Sequence, residues 1–119
     1  MAQKILFVDD DPDWRLMVSV CLKEAGYHVL AVQGASEALL QTGEDGLSLI
    51  ILDLDLGGEN GLMLMKFLKR NHPDVPIILY TGMEHDERAI ERMRELGAQR
   101  YLRKGNVNEL LEVVQRTLD

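Results

Sequence analysis

A chain of 119 residues, 46% of them apolar, holds enough material for one packed core and not two. Its formal net charge of -7 sets it against unaided binding to nucleic acid or an anionic membrane, whose phosphates repel an acidic surface, and favours a cationic ligand or a metal. One cysteine cannot form an internal disulfide, no apolar run approaches membrane-spanning length and no signal peptide precedes the first strand, so we expect a single cytoplasmic domain over residues 1–119.

The chain opens with an apolar strand, β1 (residues 4–8), followed at once by Asp9, Asp10 and Asp11. Pro12 after Asp11 is the pattern of a helix cap with proline at the first helical position, which leaves Asp9 and Asp10 without a local role. Helix α1 (12–25) carries Met17, Val18, Cys21 and Leu22 at roughly helical spacing and stops at Gly26. A short strand, β2 (27–32), and a short helix, α2 (36–42), follow, with residues 43–46 closing the helix. The strand β3 (47–53) is an uninterrupted apolar run that ends abruptly at Asp53, as expected of a strand buried on both faces. Residues 54–61, with three glycines, read as a loop feeding the next helix.

That helix, α3 (61–70), presents Leu62, Met65, Phe67 and Leu68 and is ended by Asn71-His72-Pro73. The strand β4 (75–80) ends at Thr81-Gly82. Helix α4 (85–96) is crowded with alternating charges and offers Ile90, Met93 and Leu96 as its few apolar anchors, so it should pack weakly. Gly97 separates it from β5 (98–102), and Asn106 followed by Glu109 resembles a capping box for α5, which runs to Leu118.

Strict alternation of strands and helices implies an α/β fold: a doubly wound, five-stranded parallel sheet with helices on both faces and right-handed crossovers. Asp9, Asp10, Asp53, Thr81 and Lys104 then all lie at one edge of the sheet. With strand order 2-1-3-4-5, neighbouring strands stand about 4.8 Å apart, which places the β1 acids within reach of Asp53 around one small ion. Oxygen-only ligation favours Mg2+ or Mn2+ over zinc. Thr81 sits one strand from Asp53, and Lys104, about 9 to 10 Å away, bridges the gap through its long stem. A metal, a hydroxyl and an ammonium around one point make a cage for a phosphoryl group.

These residues carry a family resemblance. With Asp9-Asp10, Asp53, Thr81, Tyr101 and Lys104 in order, the chain resembles the receiver domain of two-component response regulators over essentially its whole length. The resemblance implies the flavodoxin-like, CheY-like fold and a phosphoacceptor rather than an enzyme, with chemistry limited to its own phosphorylation and dephosphorylation. Asp53 would take a phosphoryl group from a phosphohistidine on a sensor histidine kinase or histidine phosphotransfer protein. Asp10, Asp53 and the backbone carbonyl of Asp55 would bind Mg2+ directly, with Asp9 acting mainly through water, and Thr81 and Lys104 would hold the phosphoryl oxygens. The implied switch moves Thr81 toward the phosphoryl group and lets Tyr101 rotate, altering an α4-β5-α5 surface read by an effector or by a second, phosphorylated copy. A static core role for Tyr101 is the competing reading. Asp55 and Met83 stand where the family tunes dephosphorylation.

The chain also departs from the family pattern: Gly105 replaces the proline common after the lysine, Gly57 a proline after the phosphoacceptor strand and Gly82 an alanine after the threonine. Two rival readings remain. Asp53-Leu54-Asp55 is similar to the nucleophile motif of haloacid-dehalogenase-type phosphatases, although the acidic pair then stands at the wrong end of the chain, and a receiver-like module that is never phosphorylated is the other. Elsewhere the blander readings are preferred: Asp11 and Asp13 as solvated turn residues, His28, His72 and His85 as solvent-facing, Met63, Met65 and Met93 as packing residues, and Cys21 as a buried thiol.

Overall fold

Apolar side chains alternate along the central strands, and that alternation splits the core into two halves. In the computed structural model, which describes residues 2–41 and 46–119, Leu6, Val8, Ile50, Leu52, Ile77 and Leu79 pack on one face of the sheet. Their sequence neighbours Ile5, Phe7, Leu49, Ile51, Ile78 and Tyr80 pack on the other. A strand turns successive side chains to opposite faces, so a run of consecutive apolar residues is what a sheet covered on both sides requires. Helices α1 (Pro12–Glu24) and α5 (Val107–Leu118) cover the second face with Val18, Leu22, Leu110, Val113 and Val114. Helices α2 (Ala35–Gln41), α3 (Gly61–Asn71) and α4 (Glu87–Glu95) cover the first.

The sheet itself has the expected parallel order 2-1-3-4-5, formed by β1 (Lys4–Val8), β2 (His28–Val32), β3 (Leu47–Leu52), β4 (Ile77–Thr81) and β5 (Arg100–Arg103). Asp11 caps α1 by accepting from the Asp13 N–H at 2.9 Å, and Gly26 leaves the helix with φ 99. Of the closure expected at residues 43–46, residues 43–45 lie outside the described residues. No helix among the described residues is long and apolar enough to cross a membrane.

Several local expectations need correcting. Residues 54–61 are not a plain loop: Asp55–Leu56 and Glu59–Asn60 pair as a small antiparallel ribbon. Gly57 and Gly58 between them have φ 64 and 99, both positive as a two-residue type I′ turn demands, so the Gly-Gly pair was the signal. Helix α4 starts two residues later than expected because Asp86, in extended conformation, caps it through the Ala89 N–H at 2.8 Å. Strand β4 starts at Ile77 because Pro76 has no N–H to give a ladder. Met63 and Phe67 on α3 and Met17 on α1 are substantially exposed and are not core anchors; Leu64, Met65 and Leu68 fill the α3 stripe instead. Cys21 is only half-buried, and burial together with Glu24 pushes its thiol pKa up.

Gly61 marks the closest approach of α3 to the end of β3. A Cβ there would stand 2.6 Å from both Cα and O of Leu54 and 2.9 Å from the Asp53 carbonyl oxygen, backbone atoms that no rotamer change can remove. Gly61→Ala should therefore lower the unfolding free energy by about 1–3 kcal/mol, read as a lower urea midpoint with unchanged slope; an unshifted midpoint would show that the segment yields freely.

Candidate functional site

Register delivers the site's two buried acids side by side. Val8 pairs with Leu52 in the β1–β3 ladder, and the next residues continue it: the Asp53 N–H donates to the Val8 carbonyl at 2.9 Å and the Asp9 N–H to the Val32 carbonyl at 3.0 Å. By strand parity Asp9 follows Ile5 and Phe7, and Asp53 follows Leu49 and Ile51, so both carboxylates turn toward the α1 and α5 side of the sheet. Asp9 is fully buried and Asp53 is 3% exposed.

Lys104 reaches both. The β4–β5 ladder pairs Thr81 with Arg103, and the Lys104 N–H donates to the Thr81 carbonyl at 2.8 Å, so the stem rises from the end of β5 at the height of the acids. Its ammonium lies 2.7 Å from Asp9 Oδ2 and 2.8 Å from Asp53 Oδ2. The other oxygens are held by backbone: Asp9 Oδ1 accepts from the Asp11 N–H at 2.9 Å and Asp53 Oδ1 from the Asp55 N–H at 3.1 Å. Asp10 is exposed, yet one of its oxygens lies within 4.8 Å of an oxygen from each of Asp9 and Asp53. Gly57 makes room for it, since a Cβ there would stand 2.9 Å from Asp10 Oδ2.

Charge is the chief tension here. Burial holds the Asp9 pKa above the ordinary carboxylate value, and the neighbouring Asp53 charge adds to this, against the opposing pull of Lys104 and the Asp11 N–H. Burial also works to lower the Lys104 pKa, but hydrogen bonds and charge from Asp53 and Asp9 outweigh it and the ammonium sits above its usual value. Two carboxylates thus share one ammonium with a third carboxylate close by, and hard oxygen donors with a surplus of negative charge are what a divalent cation such as Mg2+ requires. The acidic cluster fits such an ion.

Thr81 is fully buried beside this group. Strand parity turns it to the α4 side, where its Oγ1 accepts from the Met83 N–H at 3.1 Å. Tyr101 does not join the acids: its hydroxyl donates to the Met83 carbonyl at 2.8 Å and lies 2.9 Å from His85 Nδ1. The hydroxyl's one proton goes to Met83, so His85 Nδ1 carries the proton of the second bond. His85 is therefore not a solvent-facing residue as expected; its ring meets Tyr101 edge-on, with centroids 5.6 Å apart. Exposed Met83 and Asp55 flank the site.

Further contacts were not anticipated. Arg15 Nη1 donates to the Asp9 carbonyl at 2.8 Å, Trp14 lies under the Lys104 ammonium at 5.2 Å from its ring centroid, and Glu59 Oε1 accepts from the Ala35 N–H at 3.0 Å, tying the ribbon to α2. Capping of α1 by Asp11 places Trp14 and Arg15 in the helix's first turn, next to the acids, and was the available signal for those two. Glu59 and His85 had no local signal.

The family model of the response regulator receiver domain matches residues 5–115. The nitrogen assimilation regulatory protein NtrX of Azorhizobium caulinodans is 34% identical over 122 residues, covering 100% of this chain and 27% of NtrX. The response regulator protein FleR of Pseudomonas aeruginosa is 32% identical over 116 residues, covering 98% of this chain and 24% of FleR. The chain thus spans about a quarter of the length of these relatives. Among solved structures, a CheY-like receiver domain protein from Methanospirillum hungatei is similar with a TM-score of 0.91 and 28% identity, over 100% of this chain and 95% of that one. A response regulator from Burkholderia pseudomallei, solved with a phosphorylated aspartic acid, calcium ion and citrate, is similar with a TM-score of 0.84 and 29% identity, over 98% of this chain and 66% of that one.

Removing the ammonium leaves two buried carboxylates facing each other. Lys104→Met should cost roughly 3 kcal/mol of stability in a urea melt without divalent cations, and adding Asp9→Asn in that background should recover part of the loss. Strictly additive losses would mean that the three groups are not coupled.

Proposed function

The chain belongs to the response regulator receiver domain family, and from that membership we propose that residues 1–119 act as one receiver unit whose phosphoacceptor is Asp53. The observation that carries this reading is the grip on the Asp53 carboxylate, with Oδ1 taken by a backbone N–H and Oδ2 by the Lys104 ammonium. Oδ2 is the nucleophile. It attacks phosphorus in a phosphohistidine of a sensor histidine kinase or histidine phosphotransfer protein; the O–P bond forms, the P–N bond breaks, and the imidazole leaves with the bonding pair.

As Oδ2 bonds to phosphorus, Lys104 passes from that oxygen to the phosphoryl oxygens, and its charge opposes the charge building there. Asp10, Asp53 and the Asp55 carbonyl would hold Mg2+ or Mn2+, with Asp9 behind them, and the ion would supply positive charge to offset the negative charge of the acids and of the phosphoryl group. Thr81 gives up the Met83 N–H and donates its hydroxyl proton to a phosphoryl oxygen. Because the Met83 backbone binds Thr81 on its N–H side and Tyr101 on its carbonyl side, that exchange is passed to Tyr101 and to α4. Helix α4 buries Met93 alone among its residues, so it is lightly held and suited to present an altered α4-β5-α5 surface to an effector or a second copy. A cytoplasmic location goes with this reading. The phosphatase alternative loses its footing in the receiver family match over residues 5–115.

Incubation with Mg2+ and phosphoramidate should add one phosphoryl group by intact mass, acid-labile and mapped to Asp53. Asp53→Asn should abolish the adduct and Asp10→Asn should raise the Mg2+ concentration needed; an unmodified wild-type chain would support the non-phosphorylated module instead. Exchanging the side chains at Asp55 and Met83 should change the lifetime of the adduct measured by its decay, and an unaltered lifetime would remove both from a tuning role.

A further inference from the structure

The residue after Lys104 brings no side chain to support it. Gly105 follows it, and a Cβ built there would meet nothing within 4 Å, so neither a ring nor a packed side chain stiffens the turn. The ammonium is held in the resting state by the Asp9 and Asp53 carboxylates, but bonding of Asp53 Oδ2 to phosphorus takes one of these anchors away. Trp14 is a partner that transfer does not alter. It is the chain's one tryptophan, with the Lys104 Nζ 5.2 Å from its ring centroid, inside the range where the negative face of an indole attracts a cation.

The ring is itself fixed from behind. Its edge-to-face contact with Tyr80 has centroids 5.7 Å apart and planes at 85°, and Tyr80 is 1% exposed in β4 immediately before Thr81. The Asp11 cap sets the first turn of α1, from which Trp14 projects. One indole therefore stands between a rigid strand and a flexible lysine.

We propose that Trp14 is a positioning residue for Lys104, its aromatic face keeping the ammonium over the site as the Asp53 carboxylate becomes an acyl phosphate. The role rests on the phosphoacceptor reading of Asp53 and concerns a residue that reading does not use. An aromatic ring at position 14 replaces the stiffness that a proline at position 105 would bring.

Three full-length proteins test this: wild type, Trp14→Phe, which keeps an aromatic face, and Trp14→Leu, which does not, with Trp14→Met in its place if leucine disturbs folding. In 13C-lysine-labelled protein, the Lys104 ε-methylene protons should be shifted upfield by the ring in wild type and in Trp14→Phe, and move to the ordinary lysine position in Trp14→Leu. With Mg2+ and phosphoramidate, the initial rate of adduct formation should fall roughly fivefold in Trp14→Leu and stay within about twofold of wild type in Trp14→Phe. Equal rates in all three proteins, or equal slowing in both variants, would overturn the proposal. Failure of wild type to form any adduct would sink the Asp53 reading instead, while the methylene shift would still report whether ring and ammonium meet.

Discussion

The Lys104 ammonium lying between two buried carboxylates is the interaction on which the site depends. Asp9 and Asp53 are brought together by the Val8–Leu52 register, and two such charges out of water would repel strongly without a cation. Burial works against the charged forms of Asp9 and Lys104; contacts with the two acids outweigh it at the ammonium, whereas the Asp9 pKa stays above its ordinary value. In the proposed reaction the lysine would have to release the Asp53 oxygen it holds.

Around that centre the backbone does much of the positioning. The Asp55 and Asp11 N–H groups orient the free oxygen of each acid, and the glycine turn of the ribbon folds Asp55 back while clearing space for Asp10. Glu59 ties the far strand of the ribbon to the start of α2. The Glu59 tie holds the ribbon, and the indole lies under the Lys104 ammonium, at the places where Gly57 and Gly105 bring no side chain of their own.

A second consequence follows from strand parity. Asp53 and Lys104 turn to the α1 and α5 side, whereas Thr81 and Tyr101 turn to the α4 side, and the Met83 backbone is the junction where Thr81 and Tyr101 meet. In the proposed function, a change at the acids would reach α4 through that residue's N–H and carbonyl. Helix α4 can respond because its exposed Arg92–Glu95 and Arg94–Glu91 ion pairs add little stability and Met93 is its buried anchor.

Apolar runs ending in Asp9, Asp53 and Thr81 already specified a parallel sheet with those residues at one edge, because burial on both faces and one shared direction leave few alternatives, whereas the order 2-1-3-4-5 entered as a condition that the strand ladders bear out. The Asp11 cap and the weak stripe of α4 were equally legible, being local signals. The exposure of Met17, Met63 and Phe67 was not, since several helix faces can satisfy one apolar pattern and only the facing sheet selects among them. Nor could any spacing rule show His85 against Tyr101, Glu59 at α2 or Trp14 beneath Lys104. The chain alone determined the sheet and the acids at its edge through hydrophobic periodicity and turn chemistry, which act between near neighbours; the partners of those acids were decided by the tertiary structure, because residues remote in sequence meet only after the helices have docked.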